Sequence, residues 1–213
     1  LSLAINYALG GLDVGGYHWV NLAIHCLAAL ALFGVVRRSL LQPVLADSLG
    51  HAAVPIAFMT ALLWILHPIQ TEAVTYLIQR AESQVSLLYL LTLYAFIRAT
   101  SVEKGSAWYL LTIAFCLLGM AAKEVMVTAP VMVFFYDRTF VAGSFGNAWR
   151  RRWWLYAGLA ATWLLLAWLM LGSGSRGEAG AFDSGTRWYQ FAGTEFGVVL
   201  HYLRMIFWPS PLI

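Results

Sequence analysis

Long apolar runs alternate with short polar stretches along the whole chain. A helix that crosses a membrane needs about 17–25 mostly apolar residues, and several of the runs approach this length. The pattern predicts an all-α fold, namely a polytopic transmembrane helical bundle. Its seven apolar segments lie near residues 17–36, 52–67, 78–98, 107–121, 125–136, 154–172 and 190–208.

The fourth and fifth segments are short, and the fifth contains Pro130. They are interpreted either as tilted crossings or as the two arms of a re-entrant hairpin that turns at Lys123 and Glu124. In both arrangements the chain returns to the side of the membrane that it left. The sequence leaves the choice between them open.

The composition supports a membrane protein. Hydrophobic residues make up 61% of the chain and charged residues 11%, and the mean hydropathy is +0.73. A soluble domain averages about 45–50% apolar and about 25% charged residues. The net charge of +3 comes from few, scattered basic residues and does not indicate nucleic-acid binding. Cys26 and Cys116 lie in apolar runs and are interpreted as small buried hydrophobes.

The basic residues of the loops predict an orientation, because Lys and Arg concentrate on the cytoplasmic side of membrane proteins. Eight of them fall on one side of the predicted bundle, namely Arg37, Arg38, Arg98, Lys104, Arg138, Arg150, Arg151 and Arg152. Four fall on the other side, namely Arg80, Lys123, Arg176 and Arg187. We therefore predict that the first side is cytoplasmic and that the unusual polar residues share the non-cytoplasmic face.

The two ends of the sequence suggest a piece of a longer protein. There is no initiator Met, no basic leader and no signal-type cleavage site. The chain opens on LSLAINYALGG and stops at WPSPLI. We expect the bundle to be truncated at both ends, so that residues 1–213 form a fragment of a single membrane domain.

The most unusual stretch is HPIQTEAVTYLIQRAES (67–83), which sets ionisable groups beside apolar spans. Ionisable side chains at membrane depth are costly and often mark a site. Thr71 is placed to cap a helix that starts at Glu72. At about 100° per residue, this helix carries one polar arc that includes Arg80, with Glu82 at its rim. We interpret the arc as the wall of a ligand cavity, and the alternative is a helix that rests at the membrane surface.

Lys123 and Glu124 interrupt a second apolar run, from 107 to 136. A lysine is a compact point charge that suits a phosphate, so Lys123 is a candidate phosphate contact, with Glu124 orienting it or an acceptor. The alternative is an adjacent pair that neutralises itself at a turn. His67, which precedes Pro68, is interpreted as a cap or an interfacial residue that could also hydrogen-bond a substrate.

Three further observations concern polar residues outside these two motifs. The glycine- and serine-rich stretch 173–188 predicts a flexible external loop, in which Arg187 could clamp an anionic headgroup. His18, Asn21 and His25 are interpreted as interhelical hydrogen-bonding groups. No His, Cys, Asp or Glu spacing resembles a metal site, so no metal ligand and no cofactor is predicted. A role for a divalent metal is left open.

Four strings of the sequence resemble, in the same order, the membrane half of one enzyme family. They are NYALGGLDVGGYHWVNLAIH, HPIQTEAVTYLIQRAE, AAKEVMVTAPVMVFFYD and YLRMIFWPSPL. The family is that of the transmembrane and tetratricopeptide-repeat O-mannosyltransferases and their bacterial relatives, which belong to the GT-C superfamily of polytopic glycosyltransferases. The resemblance covers nearly the whole chain, and HPxxTEA…RAE and AAKE are its most specific motifs.

The resemblance implies a GT-C-like fold and a glycosyltransferase. Such an enzyme moves a sugar, typically mannose, from a polyprenyl-phosphate carrier to an acceptor hydroxyl of a protein Ser or Thr, or of a glycan, on the non-cytoplasmic face. The implied partners are the lipid-linked donor, the acceptor and the bilayer. The implied location is the bacterial cytoplasmic membrane, or the endoplasmic reticulum membrane in a eukaryote.

The resemblance also implies roles for residues. An acidic base in the first external loop deprotonates the acceptor, which attacks the anomeric carbon with inversion. Cationic groups hold the leaving lipid phosphate, and Arg80 and Lys123 match the family's motifs in this role. The carboxylates that would position these cations or the acceptor are Glu72, Glu82 and Glu124.

The sequence departs from the family in two respects. The family's acidic motif lies upstream of Leu1, after a span that this chain lacks, and Asp13 is not part of an acidic pair. The catalytic base is therefore unknown. No helical repeat of about 34 residues follows the membrane segments, although tetratricopeptide repeats are expected in the parent protein. We expect this segment alone to be inactive.

Two other function classes remain as alternatives. A membrane transporter or flippase of a lipid-linked or anionic substrate would also place charges between apolar helices, but the sequence shows no internal inverted repeat. A non-catalytic membrane scaffold would leave the clustering of ionisable groups on one face unexplained. An acidic pair upstream of Leu1 would favour the enzyme over both.

Overall fold

The computed structural model of the protein describes residues 2–102, 105–172 and 188–208. Within these ranges every regular element is helical, which confirms the predicted all-α fold. The α-helices are α1 (Ser2–Gly10), α2 (Val14–Leu40), α3 (Pro43–Leu49), α4 (Ala53–Leu66), α5 (Thr71–Thr75), α6 (Arg80–Ser101), α7 (Ser106–Ala122), α8 (Ala129–Tyr136), α9 (Phe145–Gly172) and α10 (Trp188–Phe207).

Three stretches of the described chain are long and apolar enough to cross a membrane. They are α2, the stretch Pro43–Leu66 that contains α3 and α4, and Phe145–Leu171 of α9. Large apolar side chains also remain exposed, as at Leu9 (84%) and Leu63 (66%). Soluble monomers rarely expose extensive apolar surface, whereas lipid covers it in a membrane protein. The predicted membrane helical bundle is confirmed, and the count of seven crossings stays a prediction.

The helices extend beyond the predicted apolar segments at several ends. α2 starts directly after Asp13, whose Oδ1 accepts a hydrogen bond from the Gly15 N–H at 3.2 Å and so caps the helix. α9 starts at Phe145, well before residue 154, and continues through a kink at Arg152, where φ is −136° and ψ is 27°. The stretch 137–152, which the sequence indicated as a loop, is therefore largely helical.

The helix predicted to start at Glu72 and to continue through Glu82 is broken in the structure. α5 ends at Thr75, and Tyr76 is extended, with φ −88° and ψ 116°. A 3₁₀ turn (Leu77–Gln79) then leads into α6. The prediction of one continuous polar arc was wrong, because its residues are divided between α5 and α6.

A tertiary hydrogen bond accounts for this break. A continuing helix would pair the Val74 carbonyl with the N–H four residues later. Instead, this carbonyl accepts a hydrogen bond from Asn21 Nδ2 of α2 at 3.2 Å. Thr71 lies inside α5 rather than capping it, and its hydroxyl donates to the Pro68 carbonyl. Contact with α2 therefore shapes this part of the chain.

The chain turns at Lys123, between α7 and α8. Lys123 is extended, with φ −160° and ψ 147°, and a 3₁₀ helix (Glu124–Thr128) follows. Pro130 lies in the first turn of α8, where a missing N–H removes no helical hydrogen bond. A 3₁₀ helix rises about 2.0 Å per residue and an α-helix about 1.5 Å, so the 3₁₀ helix and α8 together rise about 22 Å. This length is shorter than the hydrocarbon core of a bilayer, which is about 30 Å thick.

The main apolar core lies between α6, α7, α8 and α9. Its largest fully buried members are Phe96, Met120, Met126, Leu155 and Leu159. Gly119 allows α7 to approach the chain that returns after Lys123, because a Cβ at this position would lie 2.6 Å from Met126 Sδ. The core therefore fixes the turn that carries Lys123.

α2 packs against α4 and α6, in part through small residues. The buried alanines of α2 are Ala28, Ala29 and Ala31, and those of α4 are Ala53, Ala57 and Ala61. Small residues of this kind let membrane helices approach each other closely.

The chain divides into two compact units, residues 1–166 and 167–213. The described part of the second unit holds the last residues of α9 and the whole of α10. The polar clusters that the next paragraphs describe all lie before residue 167, so they belong to the first unit. That residues 1–213 form a single membrane domain stays a prediction.

The first residues of α2 and α6 lie at one end of the first unit, together with the turn after α7. Arg80, the first residue of α6, donates to the Tyr17 carbonyl of α2. α7 runs in the opposite direction and returns to this end, where Lys123 pairs with Glu82. We call it the Lys123 end.

The last residues of α2 and α8 lie at the opposite end of the first unit, together with the first part of α9. Ser39 Oγ lies 2.9 Å from Tyr136 Oη there, and Arg152 pairs with Asp137 directly after Tyr136. We call it the Arg152 end.

Candidate functional site

Arg80 is buried at the Lys123 end, with 1% of its surface exposed. Its Nε donates to Asn21 Oδ1 at 2.6 Å, and its Nη2 donates to the Tyr17 carbonyl at 3.0 Å. Its Nη1 donates to the Ser2 carbonyl at 3.4 Å, and the guanidinium lies 5.5 Å from the centre of the Tyr17 ring. A buried cation needs such partners, because an isolated charge is costly to remove from water. Arg80 therefore ties α6 to α1 and α2.

Lys123 forms an ion pair with Glu82, near the start of α6. The two side chains are 28% and 40% exposed, respectively. The sequence had offered the adjacent Glu124 as a neutralising partner, but the structure shows Glu124 exposed and Glu82 in contact with the ammonium. Because Lys123 is partly exposed, an anionic ligand can reach it.

An apolar cavity of about 540 Å³ lies at the same end of the first unit as these two cations. Arg80 lines one part of its wall, and Ala121 and Ala122, the residues directly before Lys123, line another. Most of the remaining wall is apolar and comes from α1, α2, α6 and α7, including Leu3, Ile5, Ile24, Leu87, Leu88 and Leu118. The Lys123 end thus combines an apolar groove with positive charge.

The structure places several of the predicted site residues together. Arg80, Glu82 and Lys123 lie at the same end of the first unit, and Glu124 lies on the same turn as Lys123. The ion pair shows the proximity of Lys123 to Glu82 directly, and Glu82 lies two residues after Arg80 on α6. What these residues bind stays a prediction.

Three other predicted site residues have different outcomes. The His67 side chain accepts a hydrogen bond at Nδ1 from the Ile69 N–H at 3.2 Å, so it caps the 3₁₀ turn Pro68–Gln70. Glu72 lies in α5, and its side chain is outside the described part of the structure. Arg187 lies outside the described residues, so its contact with a headgroup stays a prediction.

Asn21 and His25 are buried groups that join α2 to its neighbours, as the sequence predicted. Asn21 contacts both Arg80 and the Val74 carbonyl. A His25 ring nitrogen lies 3.1 Å from the Ile65 carbonyl, and the ring stacks on Trp64 with 4.8 Å between centres. His18, which was grouped with them, is exposed.

Sequence reasoning missed a buried polar cluster at the Arg152 end. Asp137 is fully buried, and Arg152 Nη1 lies 2.8 Å from both of its carboxylate oxygens. The Tyr156 hydroxyl donates to the same carboxylate, and Arg152 Nε donates to Tyr109 Oη at 3.0 Å. One signal was available, because Tyr156 follows Arg152 at helical i, i+4 spacing. The cluster joins α7 and α9 to the end of α8, so we assign it a structural role.

The described residues contain no group of three or more His, Cys, Asp or Glu side chains arranged to hold a metal ion. The Lys123 end places a cation, Arg80, in the wall of an apolar cavity, and the described surface of the protein exposes many large apolar side chains. This combination suits an amphipathic anion, with a charged head and an apolar tail. The fold therefore defines a polytopic membrane protein, and the Lys123 end is its candidate functional site.

Comparison with curated proteins confirms the resemblance to the transmembrane and tetratricopeptide-repeat O-mannosyltransferases. The chain is 35% identical over 141 residues to protein O-mannosyl-transferase TMTC2 of Mus musculus, covering 64% of this chain and 16% of that protein. It is 35% identical over 132 residues to protein O-mannosyl-transferase Tmtc1 of Drosophila melanogaster, covering 62% of this chain and 14% of that protein. It is 31% identical over 153 residues to protein O-mannosyl-transferase Tmtc3 of Drosophila melanogaster, covering 64% of this chain and 16% of that protein.

No family model matches the chain, and no solved structure matches it. The aligned region spans 14–16% of the length of the three relatives. It therefore corresponds to a segment of each relative and not to a whole enzyme.

Proposed function

We propose that this protein is part of a membrane glycosyltransferase that moves mannose from a polyprenyl-phosphate carrier to an acceptor hydroxyl of a protein Ser or Thr, or of a glycan. The observation that carries the proposal is the position of Lys123. Its partly exposed ammonium pairs with Glu82, and Lys123 directly follows Ala121 and Ala122, which line an apolar cavity that reaches Arg80. The three relatives are named as O-mannosyl-transferases, which favours a transferase over a transporter or a scaffold.

The cavity suits the apolar tail of such a donor. Its volume of about 540 Å³ falls within the range of about 300–1,000 Å³ that ligand pockets occupy. Leu87 and Leu88 of α6 and Leu118 of α7 give it an apolar wall. We place the first isoprenoid units along this wall and the phosphate at the edge next to Lys123.

The ammonium of Lys123 suits the phosphate. It is a compact charge with three rotatable donors, so it can follow a phosphate oxygen as the reaction proceeds. A partly exposed ion pair contributes little stability, so the pair with Glu82 does not prevent Lys123 from binding a second anion. Glu82 holds the ammonium in place, and the buried guanidinium of Arg80 adds positive potential to the cavity wall.

The proposed transfer breaks one bond and forms another. The acceptor oxygen attacks the anomeric carbon, the bond from this carbon to the phosphate oxygen breaks, and the phosphate leaves with the electron pair. Lys123 stabilises the charge that develops on the leaving phosphate. The acceptor proton passes to a carboxylate base. The sequence has no adjacent acidic pair of the kind that the resemblance implies, so we assign this base to no residue of the chain.

The proposed site lies on the non-cytoplasmic face of the membrane. The Arg152 end carries Arg37, Arg38, Arg150 and Arg151, and an excess of arginine is typical of the cytoplasmic side. The Lys123 end then faces the bacterial periplasm, or the lumen of the endoplasmic reticulum in a eukaryote.

A transfer assay on the full-length protein tests the role of Lys123. Polyprenyl-phosphate mannose and a Ser/Thr peptide serve as donor and acceptor. Lys123→Met should lower the rate roughly a hundredfold, because one charge-assisted contact in a water-poor site is worth about 2–4 kcal/mol. Lys123→Arg keeps the charge and should retain part of the activity.

Two controls separate this role from a structural one. Lys104→Met removes the chain's other lysine and should leave the rate unchanged. The double variant Lys123→Met/Glu82→Gln removes both charges of the ion pair and should remain as slow as Lys123→Met. Normal transfer by Lys123→Met, or its rescue in the double variant, would show that Lys123 only neutralises Glu82.

A further inference from the structure

A second cavity, of about 370 Å³, lies between α2 and α6 toward the Arg152 end. Part of its wall is apolar and includes Leu30 and Phe33 of α2 and Leu91 of α6. Another part carries Arg37 and Arg38, near the end of α2. The proposed transfer reaction uses neither arginine.

The two arginines have no carboxylate partner in the described structure. Arg38 lies with its guanidinium 5.4 Å from the centre of the Tyr94 ring, and Arg37 is exposed. Across residues 2–102, 105–172 and 188–208, the ion pairs involve Lys123 and Arg152 instead. Two adjacent cations without a counter-charge create a local positive potential that attracts an anion.

Close packing of α6 on α2 holds one of these cations at the cavity. Gly34 makes the approach possible, because a Cβ there would lie 2.6 Å from Tyr94 Cε2. The Tyr94 ring therefore rests on the backbone of α2, with Arg38 over its face. Leu30 is 66% exposed, so the apolar side of the cavity opens at the surface of the first unit.

We infer that this cavity binds an anionic phospholipid, with one acyl chain along Leu30 and Leu91 and the phosphate on Arg37 and Arg38. The apolar wall matches the acyl chain, and the two arginines match a head group with net negative charge. Arginines near a membrane surface attract anionic lipids, which concentrate in the cytoplasmic leaflet. The arginines of this cavity lie at the end of the bundle that we predict to be cytoplasmic. The phosphate position on Arg37 and Arg38 thus lies toward the opposite end of the first unit from Lys123, although Leu87 lines both cavities.

Native mass spectrometry of the full-length protein tests this inference. The protein is mixed with equimolar phosphatidylglycerol and phosphatidylcholine that carry the same acyl chains. We expect roughly tenfold more bound phosphatidylglycerol than phosphatidylcholine, from two arginines near the surface. Arg37→Gln/Arg38→Gln should remove this preference. Arg150→Gln/Arg151→Gln deletes the same charge from two exposed arginines that line no described cavity, and it should keep the preference.

A second variant tests the acyl-chain contact. Leu30→Trp places a larger side chain at an exposed position on the cavity wall and should lower the retention of phosphatidylglycerol several-fold while the protein stays folded. Excess inorganic phosphate or polyprenyl phosphate should displace little of the bound lipid. Unchanged retention in Leu30→Trp would show that the cavity does not hold the chain. Full displacement by inorganic phosphate would show a simple anion site, and full displacement by polyprenyl phosphate would assign the cavity to the donor. Each of these results overturns the inference, while the Lys123 assay tests the transferase proposal independently.

Discussion

Asp137 and Arg152 form an ion pair in the interior of the first unit, with Arg152 Nη1 2.8 Å from each carboxylate oxygen. Asp137 starts a π-helical turn (Asp137–Val141), and Arg152 departs from helical backbone angles inside α9. The kink and the π-turn together bring the two side chains into contact. The pair therefore fixes the angle at which the chain passes from α8 to α9.

Removing the carboxylate of this pair should destabilise the protein strongly. Asp137→Ala leaves the Arg152 guanidinium without its ionic partner, and breaking a buried pair in this way costs about 3–5 kcal/mol. The double variant Asp137→Ala/Arg152→Met removes the uncompensated charge and should recover part of the loss. Denaturant unfolding in mixed micelles measures the free energy of unfolding of each variant.

An exposed carboxylate provides the control for this experiment. Asp47 lies on the surface of α3, so Asp47→Ala should change the free energy of unfolding by at most about 0.5 kcal/mol. Equal losses for Asp137→Ala and Asp47→Ala would contradict the structural role of the buried pair.

The sequence was sufficient to predict the helical bundle, because each apolar segment is long enough to fold as a helix and too apolar for a soluble surface. It did not predict the break between α5 and α6. That break depends on the Val74 carbonyl pairing with Asn21, and the two residues lie 53 positions apart in sequence. Local periodicity contains no information on a partner at that separation.

The candidate site was predicted only in part, again because some of its contacts join residues that are far apart in sequence. The cost of burying Arg80 and of placing Lys123 between apolar arms could be inferred from the sequence alone. Their partners could not, since Asn21 and Glu82 come from other helices. Arg152 was interpreted as a loop charge, because its contact with Asp137 requires the π-turn and the kink.

Gly119 should not tolerate a side chain. A Cβ at this position would lie 2.6 Å from Met126 Sδ, and Met126 is fully buried, so it has no free space to move into. Overpacking a core costs about 1–3 kcal/mol. We expect Gly119→Ala to lower the free energy of unfolding by this amount and to reduce transfer, because the strained contact flanks Lys123.

Gly146 is the matched control for this prediction. A Cβ on Gly146, in the first turn of α9, meets nothing within 4 Å. Gly146→Ala should be neutral or slightly stabilising, since alanine favours a helix over glycine by about 1 kcal/mol. If Gly119→Ala and Gly146→Ala unfold at the same denaturant concentration, the close approach at Gly119 is not as described.

Cysteine labelling should report the orientation of the bundle. Ser144 is exposed between α8 and α9, and Ser48 is exposed on α3, so cysteines at both positions are accessible probes of the Arg152 end. Ser39 is a poorer probe, because it is half-buried against Tyr136. A membrane-impermeant maleimide added outside should label neither Ser48→Cys nor Ser144→Cys.

Leu12 gives the complementary probe at the Lys123 end. It is 83% exposed in the turn between α1 and α2, so Leu12→Cys should react from outside. Cys26 and Cys116 are first replaced by alanine to remove background labelling. Labelling of Ser144→Cys from outside, together with protection of Leu12→Cys, would reverse the proposed orientation.

The most direct measurement is an experimental structure of the full-length protein with polyprenyl-phosphate mannose bound. We predict a phosphate oxygen within about 4 Å of Lys123 Nζ, the separation that defines an ion pair. The isoprenoid chain should run along Leu87 and Leu88, in the cavity that Arg80 lines. A donor whose phosphate lies beside Arg37 and Arg38, or at any place out of reach of Lys123, would contradict the account.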